Sequence, residues 1–248
     1  MRQGVLSLRR IRVPLLGLAL LATLWLPEVP LDIRRAGLGP SPFHPLGWDG
    51  LGRDGLLRLV AGSARSLGFA TSTAFLALLA GAALALGGRR WQSLGSVLRT
   101  LPPVLLILPV ADRFQDLGWL PLAAVLGFLL AFHAEPPLRM RFTPLLEGPA
   151  LPAARALGAR RRDLVRTWLP WVGQQVWPLF PSLWLGALWA EVLIRYLGLG
   201  PGPDQDSLGL LLNQELPRLG TDPTPLGIAA LALLLGLVAG ISQGRETT

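Results

Sequence analysis

The stretch Leu67–Leu86, LGFATSTAFLALLAGAALAL, carries no charge and nothing more polar than Thr71, Ser72 and Thr73. Backbone polar groups inside a bilayer must bond within their own segment, so about 20 uncharged apolar residues in a row predict a spanning helix. Working outward, Leu117–Ala134 repeats the pattern, and Pro223–Ser242 repeats it near the C-terminus. Leu169–Ala190 is uncharged as well, but Gln174, Gln175, Pro178 and Pro181 suit a helix packed inside a bundle better than one facing lipid. Two shorter runs complete the set: Val13–Pro27, and Thr100–Ala111, which follows Arg99 and contains Pro102 and Pro103. Counting both, the expected fold is all-α, a polytopic membrane bundle of about six spanning helices. Arg2, Arg9, Arg10 and Arg12 before the first run also fit a secretory signal, but Leu26–Val29 offers no small-residue cleavage site, so an uncleaved first helix is expected.

Composition agrees and excludes much chemistry. Of the 248 residues 51% are apolar and 15% charged, and the mean hydropathy is +0.48, a membrane composition. The sequence has no Lys, which removes the lysine amine that a phosphate-binding loop or Schiff base needs. It has no Cys and only His44 and His133, so no thiolate nucleophile, disulfide framework or metal site is expected. With no paired carboxylates in the spans, the chain is not expected to be an enzyme.

The net charge of +8 raises nucleic acid as a partner, and arginine placement argues against it. With six helices and the N-terminus inside, the inner face holds Arg2, Arg9, Arg10, Arg12, Arg89, Arg90, Arg99, Arg139, Arg141, Arg155, Arg160, Arg161, Arg162, Arg166 and Arg245, or 15 of 23. Short cytoplasmic loops carry just such an excess, so the charge reads as orientation, with both termini cytoplasmic.

Two connections are too long to be simple turns: an outer segment Glu28–Ser66 and an inner one Glu135–Trp168. The chain therefore divides into residues 1–66, a first helix with an outer loop, and a core bundle over 67–243 with the inner loop at 135–168. Ionisable groups are nearly absent mid-span, which argues against an ion-driven pump. Glu191 and Arg195 come closest, at the i, i+4 spacing of a helix-end ion pair; a polar contact along a solute pathway is the alternative. If the chain moves a solute, a partner must supply the energy. Leu151–Pro170 offers a handle: Pro152 opens a helix, Ala153, Ala154 and Leu157 give it a small apolar face, and Gly158 ends it. Arg160, Arg161, Arg162 and Arg166 follow, and equally suit an interfacial helix on anionic lipid.

Here the residues carry a resemblance. Ala153, Ala154, Arg155, Ala156, Leu157, Gly158 and Ala159, followed by Leu169 and Pro170, resemble the "EAA" coupling loop of bacterial ABC-importer permeases. His44, Pro45, Leu46, Gly47, Asp49, Leu51, Gly52, Arg53, Asp54, Arg58, Gly62 and Arg65 resemble the signature H-P-L-G-T-D-x-L-G-R-D-x-x-S-R-x-x-x-G-A-R-x-S-L before the second helix of C-type permease subunits of dipeptide and oligopeptide importers. Glu191 and the run Tyr196–Gly200 resemble that family's A-E-x-x-L-S-F-L-G-L-G, with Ser207 and Gly209 where S-W-G is expected. The three stretches keep the family's order from His44 to about Leu212. Pro152 stands where the coupling loop has its Glu, and Trp48 where the outer motif has Thr.

The resemblance implies a bacterial inner-membrane subunit with six spans that pairs with a second, different permease subunit as a heterodimer. Two ATP-binding cassette ATPase subunits would dock on the coupling loop, hold the ATP and Mg, and leave this chain with no cofactor. An extracytoplasmic solute-binding protein would deliver the cargo, expected from the resemblance to be peptide, with nickel or another small solute, or an uncoupled scaffold, as the other readings. For Asp49, Arg53, Asp54 and Arg58 the expectations are a salt-bridged cap that starts the second helix or a direct contact with binding protein or substrate.

Overall fold

A computed structural model of the chain describes residues 29–87, 92–101, 105–106, 109, 118–158, 171–200, 205–219 and 224–246. Among the described residues it is helical without strands. Its elements are α1 (Gly55–Leu86), α2 (Gln92–Thr100), α3 (Trp119–Leu146), α4 (Ala150–Ala156), α5 (Trp171–Tyr196, with a 3-10 turn at Trp177–Leu179), α6 (Leu208–Glu215) and α7 (Pro225–Glu246). Three described segments, Gly55–Leu86, Trp119–Pro144 and Trp171–Tyr196, are long and apolar enough to cross a membrane. The run Val13–Pro27 and most of Thr100–Ala111 lie outside the described residues.

Two helices overrun their expected ends, for local reasons. The span expected to begin at Leu67 begins at Gly55, so Arg58, Gly62, Arg65 and Ser66 lie on helix and not in the loop. Asp54 fixes this start: its carboxylate accepts the free N–H groups of Leu56 and Leu57 at 2.8 and 3.0 Å, which is N-capping. The run expected to end at Ala134 continues as α3 through Pro136, Pro137 and Pro144 to Leu146, so the inner loop expected from Glu135 opens as helix. A proline inside a helix leaves the carbonyl four residues back without its donor. For Pro136 that carbonyl is Phe132 O, and Arg99 Nη1 donates to it at 3.2 Å. The 3-10 turn in α5 is handled in the same way, with Arg141 donating to Gln175 O.

The core is the contact between α1 and α3, made by small residues. Ala70, Ala74, Ala77, Ala123, Ala131 and Ala134 are buried there, and a Cβ added at Gly81 would stand 2.8 Å from the Ala134 Cβ. Small side chains let two helix backbones approach closely, which is how helices associate where lipid removes the hydrophobic drive. Gly127 meets Thr73, Leu76 and Ala77, while Gly81 meets Ala131 and Ala134, so residue numbers rise together and α1 and α3 run parallel. Helix α5 runs antiparallel to α1: Trp184 Nε1 donates to Thr71 Oγ1 at 3.0 Å, and Glu191 faces Ser66. Helix α7 starts beside α6, where Thr224 Oγ1 donates to Glu215 at 2.7 Å. Among the described residues, the bundle thus has one end formed by residues 44–58, 191–200, 205–215 and 224, and an opposite end formed by Leu84, Arg99, Glu135, Arg139 and Arg141.

Candidate functional site

At the first end, the outer motif folds around a buried arginine. Arg58, one turn into α1, is fully buried. Its Nε and Nη2 donate to Asp206 Oδ1 at 2.9 and 2.8 Å, Nη1 to Asp49 Oδ2 at 2.8 Å, and Nη2 also to Gln214 at 2.7 Å. Arg53 donates from Nε to the same Asp49 oxygen at 2.8 Å and reaches Asp206 at 4.0 Å. Two buried carboxylates are therefore matched by two guanidinium groups, an arrangement in which neither charge is left uncompensated. Three chain segments meet there: the outer loop, the start of α1, and the turn before α6. Arg65, half-buried on α1, donates to Asp206 O at 3.4 Å, and Ser66 Oγ accepts the Leu208 N–H at 2.9 Å.

The rest of the motif shapes the loop. Asp49 also accepts the N–H groups of Leu51 and Arg53 at 2.9 and 2.7 Å. Burial alone would push the Asp49 carboxyl up; the Arg53 bonds and the charges of Arg58 and Arg53 outweigh it and hold it below its ordinary value. For Asp54 burial again pushes up, and the N–H of Leu57, the His44 ring and the N–H of Leu56 together hold it below the ordinary value. His44 Nδ1 pairs with Asp54 Oδ2, and its ring lies 4.5 Å from that of Trp48. Gly52 has φ +70°, and a Cβ there would fall 1.8 Å from Asp32 O, so only glycine fits. Leu46 packs on the core, Gly47 is buried, and Pro45 and Leu51 are exposed. A Cβ at Gly62 would stand 3.2 Å from Leu211 and Ser207, so α1 and α6 touch closely at that point.

Glu191 and Arg195 are both buried near the C-terminal end of α5. Arg195 Nε donates to Ser207 Oγ at 3.2 Å and Nη2 to Gln205 O, tying α5 to the turn that carries Asp206. Glu191 faces Ser66 and Ser207, and its Oε2 has no hydrogen-bond partner.

The stretch that resembles a coupling loop lies beyond the C-terminal end of α3. Helix α4 follows Leu146 after only Glu147, Gly148 and Pro149. It starts at Ala150, so Pro152 sits within its first turn and not at its opening. Ala153 and Ala156 are exposed, Ala154 is partly so, and Leu157 is 89% exposed. Gly158 takes φ +84° just past the helix, with nothing within 4 Å of the place a Cβ would occupy. Arg155 lies in the helix; Ala159, Leu169 and Pro170 lie outside the described residues.

The structure adds residues that sequence reading did not single out as a site. Asp206 and Gln214 complete the Arg58 network from about 150 positions away, and the only sequence signal was their place beside Ser207 and Gly209. At the other end Glu135 joins Arg99 and Arg139, at 3.2 and 2.5 Å. Among the described residues no group of His, Cys, Asp and Glu is arranged to hold a metal.

No protein-family model matches the chain. It is similar to a protein of Brucella suis biovar 1 (strain 1330) named "Putative peptide permease protein", with 32% identity over 212 residues that cover 81% of this chain and 70% of the relative. Proteins of the same name in Brucella ovis and Brucella abortus biovar 1 match at the same identity and coverage. The chain belongs to the peptide permease family. It is a membrane permease, and three of its described helices are long and apolar enough to cross a membrane. The aligned length takes in most of the chain, and so most of the residues described above.

Proposed function

We propose that this permease is one of two unlike pore-forming subunits of an ATP-driven importer of the bacterial inner membrane, of the C type found in dipeptide and oligopeptide systems. Two ATPase subunits hold ATP and Mg and dock on α4, and an extracytoplasmic binding protein delivers peptide to the end that carries the Arg58 network. The observation that carries this reading is α4 itself. It is a short helix of small and apolar residues with one arginine, Arg155, three residues beyond the end of α3, and Leu157 directly after it is almost wholly uncovered. Apolar surface projecting beyond a bundle suits a protein partner.

The parallel sense of α1 and α3 supports six spans with both termini cytoplasmic. Leu84 is level with Arg139, whose Nη2 donates to its carbonyl at 3.2 Å. To begin α3 at Trp119, about 20 residues back at about 1.5 Å each, the chain between them has to climb about 30 Å, the thickness of the hydrocarbon core. Arg99, Arg139 and Arg141, all assigned inward, lie at the end of the bundle from which α3 leads to α4, in keeping with the orientation rule.

Affinity purification of the tagged chain from its native membrane tests the proposal. An intact complex with a second permease and a pair of ATPases is expected; a chain that purifies alone or only with itself would overturn it. A tag on Thr248 should be inaccessible from outside intact cells, and surface labelling of that tag would reject the six-span arrangement.

A further inference from the structure

Glu135 sits at the weakest point of α3. Pro136 and Pro137 carry no N–H, so the carbonyls of Phe132 and His133 lose their helical donors and the ladder is interrupted at the inner end of the span. The side chains around the break bridge it. Arg99 from α2 donates to Phe132 O and to Glu135 Oε2, both at 3.2 Å. On the far side of the prolines Arg139 donates to Glu135 Oε1 at 2.5 Å and to Leu84 O of α1 at 3.2 Å. Glu135 is 5% exposed, and the segment it governs continues into α4 within a few residues.

We propose that Glu135, held between Arg99 and Arg139, is a positioning residue that clamps a proline hinge in α3 and passes displacement of α4 to α1 and α2. The proposal rests on the reading of α4 as the ATPase docking helix. A helix with two missing rungs bends under load, and a bend absorbed in α3 would move nothing else. With both guanidinium groups on one carboxylate, a push from α4 instead pulls on α2 through Arg99 and on the end of α1 through Arg139. Glutamine keeps the shape of Glu135 but loses the charge that draws in two arginines, whereas aspartate keeps the charge on a shorter stem.

The test is the purified whole complex in vesicles, with ATP hydrolysis and solute uptake measured side by side. Glu135→Gln should hydrolyse ATP within about twofold of wild type while uptake per ATP falls about tenfold, and Glu135→Asp should recover part of the loss. Arg99→Gln should behave as Glu135→Gln does, and stands in for it if that variant fails to assemble. Wild-type uptake per ATP in either assembled glutamine variant overturns the clamp and leaves the importer reading intact. Absence of ATP-dependent uptake from the wild-type complex overturns the importer reading and the proposal with it.

Discussion

Replacing Asp206 by Ala removes the acceptor for two of the four hydrogen bonds of Arg58. Of the other two, one goes to Asp49, whose same oxygen also serves Arg53, and one to the neutral Gln214. A fully buried guanidinium is thus left with half its bonds and a shared counter-charge. Removing one partner of a buried pair costs about 3–5 kcal/mol, because the remaining charge stays desolvated. Since Asp49 still supplies part of the compensation, a loss near about 3 kcal/mol is expected. Unfolding in detergent micelles can be followed by the fluorescence of the nine tryptophans. The double variant Arg58→Met with Asp206→Leu should recover much of the loss, since an apolar pair leaves no stranded charge. A cost below about 1 kcal/mol for Asp206→Ala, or single-variant costs that add within about 0.5 kcal/mol, would refute the reasoning.

Other expectations follow from the same structure. Asp49 and Asp54 are held below the ordinary aspartate value of 3.8, so their contribution to stability is full above that pH and is lost as pH falls through their lower folded values; a melting temperature that stays level from pH 5 down to pH 2 contradicts this. Gly81→Leu should cost about 1–3 kcal/mol in the same unfolding assay, because even its Cβ would press on Ala134 and on Ala131 O at 3.1 Å, and a neutral result would show that α1 and α3 separate freely. Gly158→Val should leave the complex assembled but cut transport, since a branched residue is strained at φ +84° and the site has no packing to lose; wild-type uptake in that variant sinks the coupling role.

Four apolar helices were legible because uncharged apolar runs follow directly from the bilayer's demand on backbone polar groups, and α1, α3, α5 and α7 overlap the runs read at those places. Their ends were not. Arg58 and Arg65 read as loop because an arginine is rarely buried, and nothing near them in the chain announces Asp206, Gln214 or the Asp206 carbonyl as partners. The run from Leu117 was read to Ala134 because the charged Glu135 ends the apolar stretch; the helix nonetheless continues through Pro136 and Pro137, and Arg99, well before them in the chain, supplies a donor to Phe132 O. The motif residues Asp49, Arg53, Asp54 and Arg58 were recognisable as a group by resemblance. Which acid meets which base depends on contacts between distant segments that periodicity does not carry.

The central claim is that this permease imports peptide at the expense of ATP hydrolysed by partner subunits. The most direct measurement is uptake of labelled di- and oligopeptides into vesicles holding the purified complex, with binding protein outside and ATP at the ATPase face. The account predicts accumulation that stops when ATP is withheld or when this chain is left out of the assembly. Peptide entry that proceeds equally without ATP, or without this chain, would contradict it.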